Sequence, residues 1–277
     1  MTCIVLPVFN AAAALSACLH ALQQSVAPHT RILFVDDAST DPAVAPLIER
    51  FLVRWHSAEL LRNPRNLGFV GTVNRALAQS PGEDVLLLNT DTIPTPGFLE
   101  AMLASAGCDA RIASVTPFSN NAEICSFPEF CRPNPVPAQP QAVAAAFRAE
   151  APVAVDLPTG VGFCMWMRRA ALDALGDFDA ATFGRGYGEE NDWCMRAAAH
   201  GWRNVLCPAA YVAHVGHASF AATGERPGGE NLARLSARYP RYNAQVAAFI
   251  EADPLAPRRA QVAARYRELC TAASPAA

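Results

Sequence analysis

Asp84-Val85-Leu86-Leu87-Leu88-Asn89-Thr90-Asp91 decides the fold. Its four consecutive aliphatic residues show no polar alternation, which suits a strand covered on both faces. The run stops abruptly at three polar residues, Asn89, Thr90 and Asp91. Two earlier segments, 3–9 and 31–36, have the same apolar character. They also end on polar residues, Asn10 after the first and Asp36-Asp37 at the second. Segments 59–62 and 112–116 complete a series of strands. Helical stretches fall between them, at 11–24, 44–54, 69–79 and 96–106. Alternation of this kind predicts an α/β fold with a mostly parallel, doubly wound sheet flanked by helices.

The second half is less regular. Residues 127–140 are rich in proline and read as an irregular connection, followed by a helix at 142–150. A strand at 162–167 leads into a helix at 169–175. A Gly-rich, aromatic loop then precedes a helix at 189–200 that Gly201 stops. Strands are expected at 204–207 and 211–214. From residue 228 onward the tail reads as helical, with a frayed end at 271–277.

Composition narrows the function. Of 277 residues, 52% are hydrophobic and 17% charged, as in a globular protein. The net charge of −3 gives no basic footprint for nucleic acid. All 22 basic residues are arginine, which excludes a Schiff-base lysine and a P-loop lysine. The nine cysteines include no C-x-x-C pair and several sit in apolar runs, so buried thiols are expected and a zinc site is not. There is no basic n-region with a cleavage site and no apolar stretch of spanning length. A cytoplasmic protein is expected, with peripheral contact at the inner membrane face as an option. The arginines of the tail, Arg258, Arg259, Arg265 and Arg267, suit either a solvated helix face or anionic headgroups.

In open α/β sheets, ligands bind beyond the carboxyl ends of the strands. Asn10, Asp36-Asp37 and Asn89-Thr90-Asp91 all fall there. Each cluster alone is explicable as a helix cap. Three clusters on one edge favour a ligand. No G-x-G-x-x-G follows the first strand and there is no P-loop, so side chains and a hard divalent cation would have to hold a nucleotide.

The motifs together resemble family 2 glycosyltransferases of the GT-A fold, of the bacterial surface-polysaccharide, O-antigen and rhamnosyltransferase-like type. The resemblance runs from about residue 4 to residue 219. It rests on Pro7-Val8-Phe9-Asn10, Val35-Asp36-Asp37-Ala38-Ser39, Asn66-Leu67-Gly68-Phe69 with Asn74, and Leu88-Asn89-Thr90-Asp91. It continues through the glycines and Trp166 of 160–166, Gly188-Glu189-Glu190-Asn191-Asp192-Trp193, and His214 with Ser219.

The resemblance implies a catalytic domain over 1–220, with a nucleotide-sugar half at 1–118 and an acceptor half at 119–220. A helical extension then occupies 221–277. It implies that Asp37 contacts the nucleoside, with Pro7, Val8, Asn10, Asp36, Asn66, Gly68, Asn89 and Thr90 around the nucleotide sugar. Asp91 and His214 are the implied ligands of Mn²⁺ or Mg²⁺. Glu190 is the implied base, with Glu189 and Asp192 in the same acidic group. Gly160, Gly162 and Trp166 would face a saccharide or lipid-linked acceptor. Two positions depart from the pattern. Asn89 stands where the first acid of D-x-D is usual, and Glu190 stands where an aspartate is usual.

The expected reaction is inverting transfer, a single displacement at the anomeric carbon that needs a base and a cation at the leaving diphosphate. Locally, acids in the first turn of a helix need no reason beyond its dipole. A non-catalytic sugar-binding relic of the same fold is the alternative that Asn89 and Glu190 keep open. A nucleotidylyltransferase would want a Gly-rich, basic loop after the first strand, unlike Pro7-Val8-Phe9-Asn10.

Overall fold

The computed structural model describes residues 1–184, 186–216 and 229–273. The aliphatic run that ends at Asn89 is strand β4 (Asp84–Leu88), and Val85 through Leu88 are fully buried. Successive side chains of a strand point to opposite faces. Leu86 and Leu88 accordingly join one core with Ile4, Leu6 and Leu15, while Val85 and Leu87 join another with Val5, Val70 and Val73. Helices cover both faces, which is why the strands have no polar alternation.

Along the chain, β1 (Thr2–Val8), α1 (Ala12–Ser25), β2 (Arg31–Asp36), α2 (Val44–Arg54), β3 (Ala58–Arg62) and α3 (Gly68–Ala78) precede β4. After it come β5 (Thr92–Pro94), α4 (Phe98–Gly107), β6 (Ile112–Phe118), a 3₁₀ turn (Glu123–Cys125), α5 (Pro140–Phe147), β7 (Val155–Asp156) and β8 (Cys164–Met167). Then follow α6 (Arg169–Leu175), α7 (Ala180–Phe183), α8 (Glu189–Ala199), β9 (Arg203–His214), α9 (Glu230–Arg238), α10 (Tyr242–Ala252) and α11 (Ala256–Ala273).

The sheet order is β3-β2-β1-β4-β8-β6-β9-β5, with β7 also paired to β9. Strands β1 to β4 pair in parallel, as expected. The second half departs from the all-parallel pattern. Strand β8 runs antiparallel between β4 and β6. The two strands expected at 204–207 and 211–214 are one twelve-residue strand, β9. Its first half pairs β6 in parallel and its last residues pair β5, Thr92 opposite His214. The partner register shifts between Pro117 and Phe118, where Cys207 gives way to Tyr211 and the intervening residues are left out of the pairing. That long strand brings His214 beside the end of β4.

The tail is helical, and three of its arginines turn inward. Arg265 and Arg258 pair with Glu150 just after α5. Arg259 pairs with Asp253 and stacks over Phe130 at 4.4 Å. Arg258 and Arg265 thereby tie α11 to the end of α5 while remaining partly exposed, and Arg259 is buried. Helix α9 docks on α8 through Asp192. This fully buried carboxylate accepts from Arg196 (2.9 Å), Arg238 (2.6 Å) and the Tyr239 hydroxyl (2.9 Å). No helix of the described residues is long and apolar enough to cross a membrane.

Candidate active site

The polar strand ends open onto one cavity of about 250 Å³. Pro7 and Val8 from β1, Asp37 after β2, and Asn66 and Gly68 before and at the start of α3 line one part of it. Asn89, Thr90 and Asp91 after β4, His214 at the end of β9, and Gly162, Glu189 and Glu190 line the rest.

Asp37 organises the first part. Its Oδ1 accepts from Asn63 Nδ2 and Leu67 N, both at 2.7 Å, and its Oδ2 accepts from Gly68 N at 2.9 Å. It thereby caps α3 from thirty residues away, where a negative charge meets the positive end of the helix. Gly68 adopts φ +75, a left-handed turn that a side chain would strain.

The second part is built around His214. Asn120 clasps the strand end, donating to the His214 carbonyl (2.9 Å) and accepting from its N–H (2.8 Å). The imidazole stacks on Phe163 with centroids 5.0 Å apart. Its Nδ1 lies 2.7 Å from the Asn121 carbonyl, which can only accept, so Nδ1 carries the proton. Nε2 is left facing Asp91 Oδ1 at 3.5 Å. Burial disfavours the imidazolium, but the hydrogen bond and charge of Asp91 outweigh it and raise the His214 pKa. Close by, Asn89 Oδ1 is buried without a hydrogen-bond partner.

The third part is the start of α8. Glu189 is 3% exposed, and burial together with the neighbouring Glu190 charge pushes its pKa well up. Glu190 keeps some exposure along the cavity wall, but its Oε2 is enclosed and unpartnered. Burial raises its pKa to about 7, against backbone N–H groups at Gly188 and Asn191 that favour the anion. Gly162 lies against this side chain, its missing Cβ 3.7 Å from Glu190 Cγ.

Residues 3–176 match the family model for glycosyl transferase family 2. The chain belongs to that family. It is 28% identical over 207 residues to the N-acetylglucosaminyl-diphospho-decaprenol L-rhamnosyltransferase of Mycobacterium tuberculosis, a match covering 66% of each chain. It is 30% identical over 219 residues to the pre-mycofactocin glycosyltransferase of the same organism, covering 76% of this chain and 42% of that one. The chain thus spans about two thirds of the first relative and less than half of the second. Among solved structures, GalNAc-T7 with UDP, GalNAc and Mn²⁺ superposes with TM-score 0.64 at 12% identity, over 91% of this chain and 57% of that one. The fold is GT-A.

Five of the residues expected at this family 2 site lie elsewhere. Asn10 and Asp36 hold the loops after β1 and β2 together. Asn10 Oδ1 accepts from Thr40 N (2.8 Å) and Asp41 N (2.9 Å), and Asp36 Oδ1 accepts from Ser39 N (3.0 Å). Neither caps the helix that follows its strand: α1 and α2 have no side-chain cap, and the bonds of Asn10 and Asp36 go to loop residues 39–41. Asp192 is the anchor of α9 described above. Gly160 is a packing position, where a Cβ would sit 3.1 Å from Met165 Sδ and 3.3 Å from Thr116 Oγ1. Trp166 is 2% exposed in β8, paired with Leu86 and Val115, and faces the core rather than an acceptor. Trp166→Phe is therefore expected to lower stability by about 1–2 kcal/mol and leave nucleotide-sugar KM unchanged, as read by chemical denaturation and steady-state kinetics. His217 and Ser219 lie outside the described residues.

Thr72, Asn121, Glu123 and Tyr187 also line the cavity. Asn120-Asn121 follow the end of β6, so the strand-end rule that found Asp37 and Asp91 reaches them too. Glu123 sits in the turn after them with no periodic pattern to mark it.

The wall at Asp91 fits a hard divalent cation. It offers a carboxylate, an imidazole nitrogen whose other N–H is held by a carbonyl, and an orphaned amide oxygen. Among the described residues no group of three or more His, Cys, Asp or Glu could hold a metal. An ion here would lean on oxygens of the donor.

Proposed function

We propose that this family 2 glycosyltransferase moves a hexose from a nucleotide sugar to a saccharide or lipid-linked acceptor by metal-dependent inverting displacement. The observation that carries this reading is the convergence, in one cavity, of the Asp91–His214 pair with the buried glutamates of α8. The likeness to the mycobacterial rhamnosyltransferase, whose acceptor is a diphospho-decaprenol-linked sugar, supports a lipid-linked acceptor. A role in surface-polysaccharide synthesis is part of the same proposal.

Asp37 and the 63–68 loop hold the nucleoside, with Pro7 and Val8 as an apolar floor. Asp91, His214 Nε2 and Asn89 Oδ1 would hold Mn²⁺ or Mg²⁺, which supplies charge neutralisation at the departing diphosphate. Glu190 accepts the proton of the acceptor hydroxyl as the hydroxyl oxygen bonds to the anomeric carbon. The bond from that carbon to the diphosphate oxygen breaks, and nucleoside diphosphate leaves with the electron pair. Burial and the Glu190 charge raise the Glu189 pKa, which favours a single negative charge on the pair.

Hydrolysis and transfer assays with a panel of nucleotide sugars, with and without Mn²⁺, test this. Metal-dependent release of nucleoside diphosphate is expected, and none from any donor would end the proposal. The value of kcat/KM should rise with pH through about 7, because Glu190 must be ionised to act as base.

A further inference from the structure

Glu123, Glu189 and Glu190 line the same cavity. No arginine among the described residues lines it, and the chain has no lysine. The three glutamates sense one another: the Glu190 charge raises the pKa of Glu189, and that of Glu123 raises the pKa of Glu190. Glu189 is 97% enclosed, and its Oε2 and that of Glu190 have no hydrogen-bond partner. Buried oxygens left unpaired are costly, so these two carboxyl groups call for polar partners from a ligand, and the Glu190 carboxylate calls for a donor. Sugar hydroxyls are such donors. A carboxylate on the sugar brings no donor, and it would place like charge against Glu190 and Glu123, where no arginine of the described residues lines the wall.

Glu123 differs from the other two. It belongs to the 3₁₀ turn after β6 and adopts φ +46, rare for a glutamate. Hydrogen bonds from Cys125 N to the Ala122 carbonyl (2.8 Å) and from Ser126 N to the Glu123 carbonyl (3.0 Å) hold the turn. The residue is exposed yet lines the cavity. It takes no proton in the transfer and acts on the base only through its charge, so its effect on donor preference is read from binding and not from rate.

We propose that this acidic wall restricts the donor to sugars with an uncharged, hydroxyl-rich ring, and that Glu123 is the residue that sets the preference against uronic acids. The inference rests on the proposed nucleotide-sugar occupancy of the cavity.

The test compares neutral and uronic sugars on one nucleotide, so that the nucleoside contribution cancels. UDP, dTDP and GDP are first screened for binding in the presence of Mn²⁺. For the nucleotide that binds, Kd is measured for a matched pair such as UDP-glucose and UDP-glucuronate, or GDP-mannose and GDP-mannuronate. The neutral member should bind at least about tenfold more tightly, as expected for like charges brought together in a partly buried site. In Glu123→Gln the ratio should fall to about threefold or less, with the affinity of the bare nucleoside diphosphate unchanged. Glu123→Asn, a residue type at ease at positive φ, guards against misfolding of the first variant. Equal affinity within the pair overturns the inference, as does a ratio that neither variant moves. If no nucleoside diphosphate binds, the proposed function itself falls, and this inference with it.

Discussion

Replacing Glu190 with glutamine is expected to cost the protein its activity and make it more stable. Glutamine cannot accept the acceptor's proton, and loss of a positioned base lowers transfer about 10²–10⁴-fold. The stability gain comes from the same burial that tunes the base. Burial lifts the Glu190 pKa from 4.5 to about 7. A raised carboxyl pKa means that the folded state holds the proton more tightly than the unfolded chain. The associated stabilisation is complete below the unfolded pKa and is lost as pH rises through about 7. At pH 8 the wild type therefore carries a buried anion at a cost on the order of 3 kcal/mol. Glutamine has the same shape and no charge. The variant should melt above the wild type at pH 8, and the difference should vanish near pH 4.5. Paired thermal melts and transfer rates check both halves. A variant that folds and transfers at near-normal rate would remove Glu190 from the role of base.

That outcome bears on what a sequence can reveal. The first half of the chain was legible because Val85–Leu88 and its sister strands are buried on both faces, and burial leaves a uniform aliphatic signature. The same uniformity hides direction. Cys164-Met165-Trp166-Met167 is buried throughout, so nothing in it marks an antiparallel strand or tells which way Trp166 points. The strand-end acids show a different limit. Asp36 and Asp37 are adjacent and chemically identical, yet Asp36 closes a local turn while Asp37 reaches the 63–68 loop and the cavity. Only the family pattern separated them. Asp192 has the helical position and charge of a site residue, but its partners Arg238 and Tyr239 lie more than forty residues away. Glu123 was invisible for the opposite reason: a residue at positive φ in an irregular turn belongs to no period.

Asp91→Asn is the second change with a large expected effect, because Asp91 is the one carboxylate on its wall. A second acid at position 89 could share the charge on a cation, but Asn89 offers a neutral oxygen. His214 Nε2, 3.5 Å away, is neutral whenever it ligates. With Asp91 changed, no carboxylate of the described residues remains beside His214, and transfer should fall about 10³-fold, comparable to removing a main source of charge stabilisation at a leaving group. Binding separates this from misfolding. In wild type, Mn²⁺ added with nucleoside diphosphate should raise Tm, since a ligand that binds only the folded state stabilises it by RT ln(1 + [L]/Kd). Asp91→Asn should lose that added shift while melting as a folded protein without the ion. His214→Ala should lose part of it. In wild type the Mn²⁺ shift should also shrink on acidification, because Asp91 raises the His214 pKa and the proton competes for the same lone pair. A full Mn²⁺ shift in Asp91→Asn would place the cation elsewhere and take the leaving-group role from this pair.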